Sequence, residues 1–194
     1  MGAHELGALA IVPPWLADGR DPARTIVIEP EMAFGTGEHQ TTRGVVRLLP
    51  RVIRGGDRVA DLGAGSAVLA IAAAKLGAAH VTAIELDHDA IANAEANVER
   101  NGVAHRVTVI EGDAGVLLPF VAPVRVVLAN IISSVITSLL PIIAASLEPE
   151  GDVVLSGILV EEQPAMRAVF ASHGWQVRDE DVEGQWWSVR IARR

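Results

Sequence analysis

The chain has 194 residues, half of them apolar and about a fifth charged, with a formal net charge of −8 and no cysteine. That length and composition suit one globular domain with a real core, and the absence of thiols excludes disulfides, zinc–thiolate centres and cysteine nucleophiles. The acidic balance makes the domain a poor counter-ion for nucleic acid and would instead attract a basic partner.

Met1 is not followed by a basic segment and an apolar run, so no signal peptide is expected. Ile131 to Leu147 is the nearest approach to a membrane span, but Ser133, Ser134, Thr137, Ser138 and Pro141 interrupt it. A cytoplasmic chain is expected. Arg51, Arg54 and Arg58 read as a solvated helix end and turn rather than a basic patch.

Residues 1–24, with Pro13, Pro14, Gly19 and Pro22, read as an irregular lead-in, and residues 25–194 as the domain proper. Thr25 to Ile28 is a short strand, ended by Glu29-Pro30. A glycine-rich loop from Phe34 to Thr42 then leads into a helix ending near Ile53. From there strands and helices alternate. Strands are expected at 58–61, 80–85, 106–110, 125–129 and 152–156. Helices are expected at 66–76, stopped by Gly77, and from Asp87 as cap to Asn101, stopped by Gly102. Two more follow at about 133–147 and 161–173. The last two strands, 175–182 and 185–192, form a hairpin around Glu183-Gly184. Repeated β–α units predict a Rossmann-like α/β fold, with a mostly parallel seven-stranded sheet, helices on both faces and a C-terminal antiparallel hairpin.

In such sheets ligands bind beyond the carboxyl ends of the strands, where the strand order reverses. Four features fall at strand ends. Asp61-Leu-Gly63-Ala-Gly65-Ser-Ala67 lies between a strand and a helix, where Gly63 and Gly65 permit a tight turn and close approach of a ligand to bare backbone. It resembles the E/D-x-G-x-G-x-G loop of methyltransferases, with Asp61 as the acid and Ala67 at the third glycine. Val68 fails the dinucleotide pattern G-x-G-x-x-G, and no phosphate-binding G-x-x-x-x-G-K-[ST] occurs. These two failures disfavour a nicotinamide dehydrogenase and a P-loop enzyme. Glu85 ends the next strand, where a carboxylate can accept both ribose hydroxyls of an adenosyl group. Asp113, in Glu111-Gly-Asp113, can take a hydrogen bond from the adenine amino group, although Gly-Asp is also a common turn. Asn130 follows an apolar strand, and its amide can accept a hydrogen bond from an amine while donating elsewhere. It could equally cap the segment after it.

With those residues in view, the sequence resembles the PrmA family of ribosomal protein methyltransferases from about Val12 onward. The most specific match is Glu29-Pro-Glu-Met-Ala-Phe-Gly-Thr-Gly-Glu-His-Gln-Thr-Thr42, supported by Ser156-Gly-Ile-Leu159 and Trp186-Trp-Ser-Val-Arg190. The resemblance implies S-adenosylmethionine as cofactor, with S-adenosylhomocysteine as product and no metal. It implies that Thr42, Gly63, Glu85 and Asn130 contact the cofactor and that Asn130 also faces the target amine. Phe34 and the Gly35–Gly37 loop would cover the methyl-transfer centre. His39 reads as structural, because a single histidine in a polar loop seldom acts as a base.

The sequence departs from the family in two ways. Asn130-Ile-Ile-Ser133 stands where the family has Asn-Ile-Leu-Ala. No segment the size of the family's N-terminal recognition domain precedes Ala10, so the resemblance is to the catalytic domain. The expected activity is transfer of a methyl group to lysine or N-terminal amines of a protein such as a ribosomal protein. A small-molecule amine, an RNA acceptor, or a non-catalytic module that binds S-adenosylmethionine or a partner are the alternatives.

Overall fold

A computed structural model describes residues 2–29 and 38–193. Strands β1 (His4–Leu6), β2 (Leu9–Val12) and β3 (Thr25–Val27) form a small sheet. In it β1 and β2 make an antiparallel hairpin and β2 pairs parallel to β3. Helix α1 (Gln40–Leu48) follows, extended by a 3-10 turn over Leu49–Arg51. The alternating part then runs β4 (Arg58–Leu62), α2 (Val68–Lys75), β5 (His80–Glu85), α3 (His88–Arg100), β6 (Val107–Glu111), α4 (Ala114–Val121), β7 (Val124–Asn130), α5 (Ser133–Ser146) and β8 (Leu147–Leu159). A 3-10 turn at Val160–Glu162, helix α6 (Gln163–Ser172) and the hairpin β9 (Trp175–Glu183) and β10 (Trp186–Arg193) complete it.

The main sheet has the order β6-β5-β4-β7-β8-β10-β9. The first five strands run parallel, and β10 pairs antiparallel with both β8 and β9. The chain leaves β4 toward β5 on one side and later returns to β7 on the other. A crevice therefore opens above the carboxyl ends of β4 and β7, where the flanking loops part in opposite directions.

Strand alternation builds two cores. On β7, Val126 and Leu128 join one apolar cluster, while Val127 and Ala129 join the other. The first cluster packs α1, α2 and α3 against the sheet, and α2 is buried along nearly its whole length because its Val-Leu-Ala-Ile-Ala-Ala-Ala run offers only small or aliphatic side chains. The second gathers α4, α5, α6 and the hairpin around Phe170, Trp175 and Trp187. Among the described residues, no helix is long and apolar enough to cross a membrane.

Two local outcomes differ from the sequence reading. Residues 4–12, expected to be irregular, form β1 and β2; four consecutive buried residues, Leu9 to Val12, are too few to give a readable period. The edge of β3 is held by α3, since the Asn101 side chain accepts from Val27 N at 2.9 Å and donates to Val27 O at 2.7 Å. Helix α4 forms where the sequence reading places no element, between the strands ending at 110 and starting at 125. Its Ala-Gly-Val-Leu-Leu-Pro-Phe-Val sequence lacks a polar face and carries Pro119, yet Asp113 caps it through the N–H groups of Gly115 and Val116.

Candidate active site

The glycine turn after β4 takes three left-handed residues, Gly63 (φ 71°), Gly65 (φ 52°) and Ala67 (φ 64°). For Ala67 that conformation costs about 1–2 kcal/mol relative to the right-handed region, which glycine at this position would avoid. A Cβ on Gly63 would come within 2.6 Å of the Ile131 side chain, so only glycine leaves room there.

Glu85 ties this turn to the end of β5. One carboxylate oxygen accepts the Gly65 N–H at 2.7 Å and the other accepts the Asp87 N–H at 2.8 Å. Carboxylate oxygens have two lone pairs each, so both can still accept a hydroxyl. Glu85 lines a cleft of about 360 Å³ together with Gly63, Leu86, Asp113, Ile131 and Val135. The ends of β4, β5, β6 and β7 thus meet around one crevice.

A second chamber, of about 540 Å³, adjoins the first, and Ile131 and Val135 line both. Its other walls include His39, Thr41, Asn130, Gly157 and Trp186. The His39 and Trp186 rings meet edge to face with centroids 5.1 Å apart. His39 caps α1, its Nδ1 accepting from Thr41 N at 3.4 Å and lying 2.7 Å from Thr41 Oγ1. Burial, reinforced by the nearby Arg43 guanidinium, holds its imidazole below the usual pKa. Asn130 donates from Nδ2 to Thr42 Oγ1 at 3.4 Å, and its buried Oδ1 has no hydrogen-bond partner within the described chain. An amide oxygen buried without a partner carries a cost of about 1–3 kcal/mol, which a bound donor would remove.

Of the residues singled out in the sequence, Gly63, Glu85 and Asp113 line the first cleft and Asn130 the second. Gly65 stands beside the first cleft with its N–H committed to Glu85. Thr42 is buried beneath Asn130 and lines neither space. Asp61 is also buried; one oxygen accepts from Ala70 N at 3.0 Å and the other has no partner within the described chain. Desolvation, and secondarily the Glu85 charge, push its carboxyl up to about 7, against partial relief from the Ala70 N–H. Phe34 and the Gly35–Gly37 loop lie outside the described residues. Ile131 and Val135 line both spaces and Trp186 the second; strand-end position does not mark them in the sequence, although Trp186-Trp187 falls in a segment that resembles the family.

A family profile described as ribosomal protein L11 methyltransferase (PrmA) matches residues 4–194. The ribosomal protein L11 methyltransferase of Thermus thermophilus is 43% identical over 161 residues, which cover 83% of this chain and 62% of that protein. The protein of the same name from Pelotomaculum thermopropionicum is 41% identical over 188 residues, covering 96% and 59%. The chain therefore spans about three fifths of the length of these curated relatives. A crystal structure of ribosomal protein L11 methylase from Lactobacillus delbrueckii subsp. bulgaricus superposes with a TM-score of 0.87 at 30% identity, each chain covered completely. The fold alone is shared with a precorrin-6y C5,15-methyltransferase from Geobacter metallireducens, with a TM-score of 0.66 at 19% identity over 81% of this chain and 90% of the other. On the strength of the profile and these relatives, the chain belongs to the PrmA family of ribosomal protein L11 methyltransferases.

Proposed function

We propose that the chain transfers a methyl group from S-adenosylmethionine to amino groups of a protein, with ribosomal protein L11 as the acceptor suggested by its relatives' names. The observation that carries the reading is the pairing of a carboxylate-lined cleft with an apolar chamber that holds an unpartnered amide oxygen.

The residues fit the cofactor. Glu85 would take the ribose hydroxyls, Asp113 would stand near the adenine amino group, and the bare backbone at Gly63 leaves space that a side chain would fill. Thr42, Asp61 and Gly65 would act from behind, by holding Asn130, α2 and Glu85 in place. The cofactor supplies an electrophilic methyl group on a sulfonium, which an uncharged amine can take by in-line displacement.

The chamber favours that uncharged amine. Its walls are mostly apolar, and desolvation lowers the pKa of a lysine drawn into it. Asn130 Oδ1 would accept a hydrogen bond from the amine N–H and aim the nitrogen lone pair toward the shared wall at Ile131. Orientation and exclusion of water then supply most of the acceleration. Burial, with Arg43 nearby, disfavours a positive charge on His39 beside the incoming amine.

Calorimetric titration with S-adenosylmethionine, on the native chain and on Glu85→Ala, tests the cofactor half. Saturable binding that weakens at least about tenfold in the variant, a loss of roughly 1.4 kcal/mol, is expected. Mass spectrometry of L11 incubated with enzyme and cofactor tests the acceptor half. Absence of binding at millimolar cofactor would overturn the proposal for this chain.

A further inference from the structure

Trp186 and His39 belong to elements far apart in sequence, yet together they wall one side of the chamber. Besides their ring contact, one side chain of α1 reaches both the chain at His39 and the hairpin tip. Arg43, on the first turns of α1, directs Nε to Glu183 Oε1 at 3.1 Å and Nη2 to the same carboxylate, while Nη1 donates to the backbone carbonyl of Glu38. Glu183 ends β9 and stands directly opposite Trp186 in the hairpin register. Arg43 therefore grips the chain just ahead of the His39 cap and the tip of the hairpin that carries Trp186.

The tip packs closely on the start of α1. Gly184 sits at φ 59°, and a Cβ there would come within 2.7 Å of the Gln40 amide. Arg47 takes the other Glu183 oxygen at 2.7 Å and also pairs with Asp181. The pair is shielded, with the Arg43 and Glu183 side chains 15% and 28% exposed. Both arginines hold the Glu183 carboxyl below the usual range, Arg43 contributing more. Arg47 and Asp181 anchor the body of the hairpin; only Arg43 also reaches the Glu38 carbonyl.

We infer that Arg43 is a positioning residue for the acceptor chamber, setting its width by clamping the β9–β10 tip, and with it Trp186, against the chain entering α1. The inference rests on the second chamber being the acceptor site, as proposed above. Arg43 touches neither cleft. Its effect should fall on the acceptor and spare the cofactor, whose cleft is built from the ends of β4, β5 and β6 on the far side of Ile131.

The test compares the native chain with Arg43→Ala and Arg43→Lys, using L11 as acceptor. Arg43→Ala should lower kcat/KM for L11 by about tenfold or more and leave S-adenosylmethionine affinity within about twofold, since misplacing a wall by an ångström is felt by the reacting pair. Arg43→Lys retains the charge and lacks the fork, so it should recover only part of the loss. Amide hydrogen exchange should quicken across residues 183–187 in Arg43→Ala and stay unchanged in β6. Equal losses for acceptor and cofactor, or an unchanged kcat/KM, would overturn the inference, as would unaltered exchange at the tip. If the native chain leaves L11 unmethylated, the acceptor assignment falls, and the exchange result by itself decides whether Arg43 holds the tip.

Discussion

Gly157 of β8 passes so close to Ile131 that a Cβ on it would lie 2.4 Å from the Ile131 carbonyl oxygen. Its φ of 81° adds the strain any other residue would meet there. Because Ile131 forms the wall shared by both spaces, Gly157→Ala should do more than destabilise the sheet. A loss of about 2–4 kcal/mol in denaturant unfolding is expected from combined backbone strain and overpacking. Cofactor affinity should fall with it, measured by calorimetry below the unfolding transition. An Ala variant as stable as the native chain would contradict the close approach.

Asn130 offers the sharpest separation of binding from turnover. Its amide lines the chamber and not the first cleft. Asn130→Ala should reduce kcat by about a hundredfold, in the range for loss of a group that orients a reactant. The dissociation constant for S-adenosylmethionine should change only a few-fold. Equal losses in both would remove the orienting role.

Asp61 predicts a pH signature. Its carboxyl is raised from 3.8 to about 7 by burial, with Glu85 adding to the effect. The folded chain therefore holds this proton over a range in which the unfolded chain has released it. The contribution is fully present below about pH 4 and is lost as pH rises through about 7, reaching roughly 4 kcal/mol of lost stability above that. Asp61→Asn keeps the shape and removes the titration. Thermal melts of the variant should show a flatter profile than the native chain between about pH 5 and pH 8. Parallel profiles would show that Asp61 does not titrate in this window.

Arg125 lies buried between Asp57 and Asp152, with Nε 2.6 Å from one carboxylate and Nη1 3.0 Å from the other. Arg190 supplies a second cation to Asp152 at 2.8 Å, and Asp57 also accepts the Arg54 N–H at 2.7 Å. Arg125→Met would leave Asp57 without its cation in a buried setting. Removing one member of a buried pair typically costs about 3–5 kcal/mol, readable as a shift in the urea midpoint. The charge-balanced double change Arg125→Met, Asp57→Asn, which leaves Asp152 paired with Arg190, should recover part of that loss.

The sequence exposed the scaffold of the site better than its enclosure. Gly63, Glu85, Asp113 and Asn130 each follow a run of strand-forming residues, so β–α alternation alone delivers them to one end of the sheet. Asp61 shares the motif but points its carboxylate at Ala70 N, an orientation that spacing does not reveal. The pairing of Trp186 with His39 depends on the hairpin tip reaching α1, nearly the whole alternating domain later in the chain. Arg43, Arg47 and Arg51 at intervals of four, and Asp179, Asp181 and Glu183 at intervals of two, each look like an ordinary solvated face. Only the packing of α1 beside β9 brings the two periodicities together, as ion pairs between matching members.

The position of β10 between β8 and β9 has a consequence for how the molecule is assembled. The strand that follows β8 into the hairpin, β9, does not lie against β8; β10, the last strand of the chain to be made, takes the place between them. Until residues 186–193 are available, β8 keeps a long unpaired edge, and Trp187, Val189 and Ile191 are missing from the core that surrounds Phe170. Chains halted before that point would offer a free strand edge to one another, and self-association of such fragments is the hazard this topology carries.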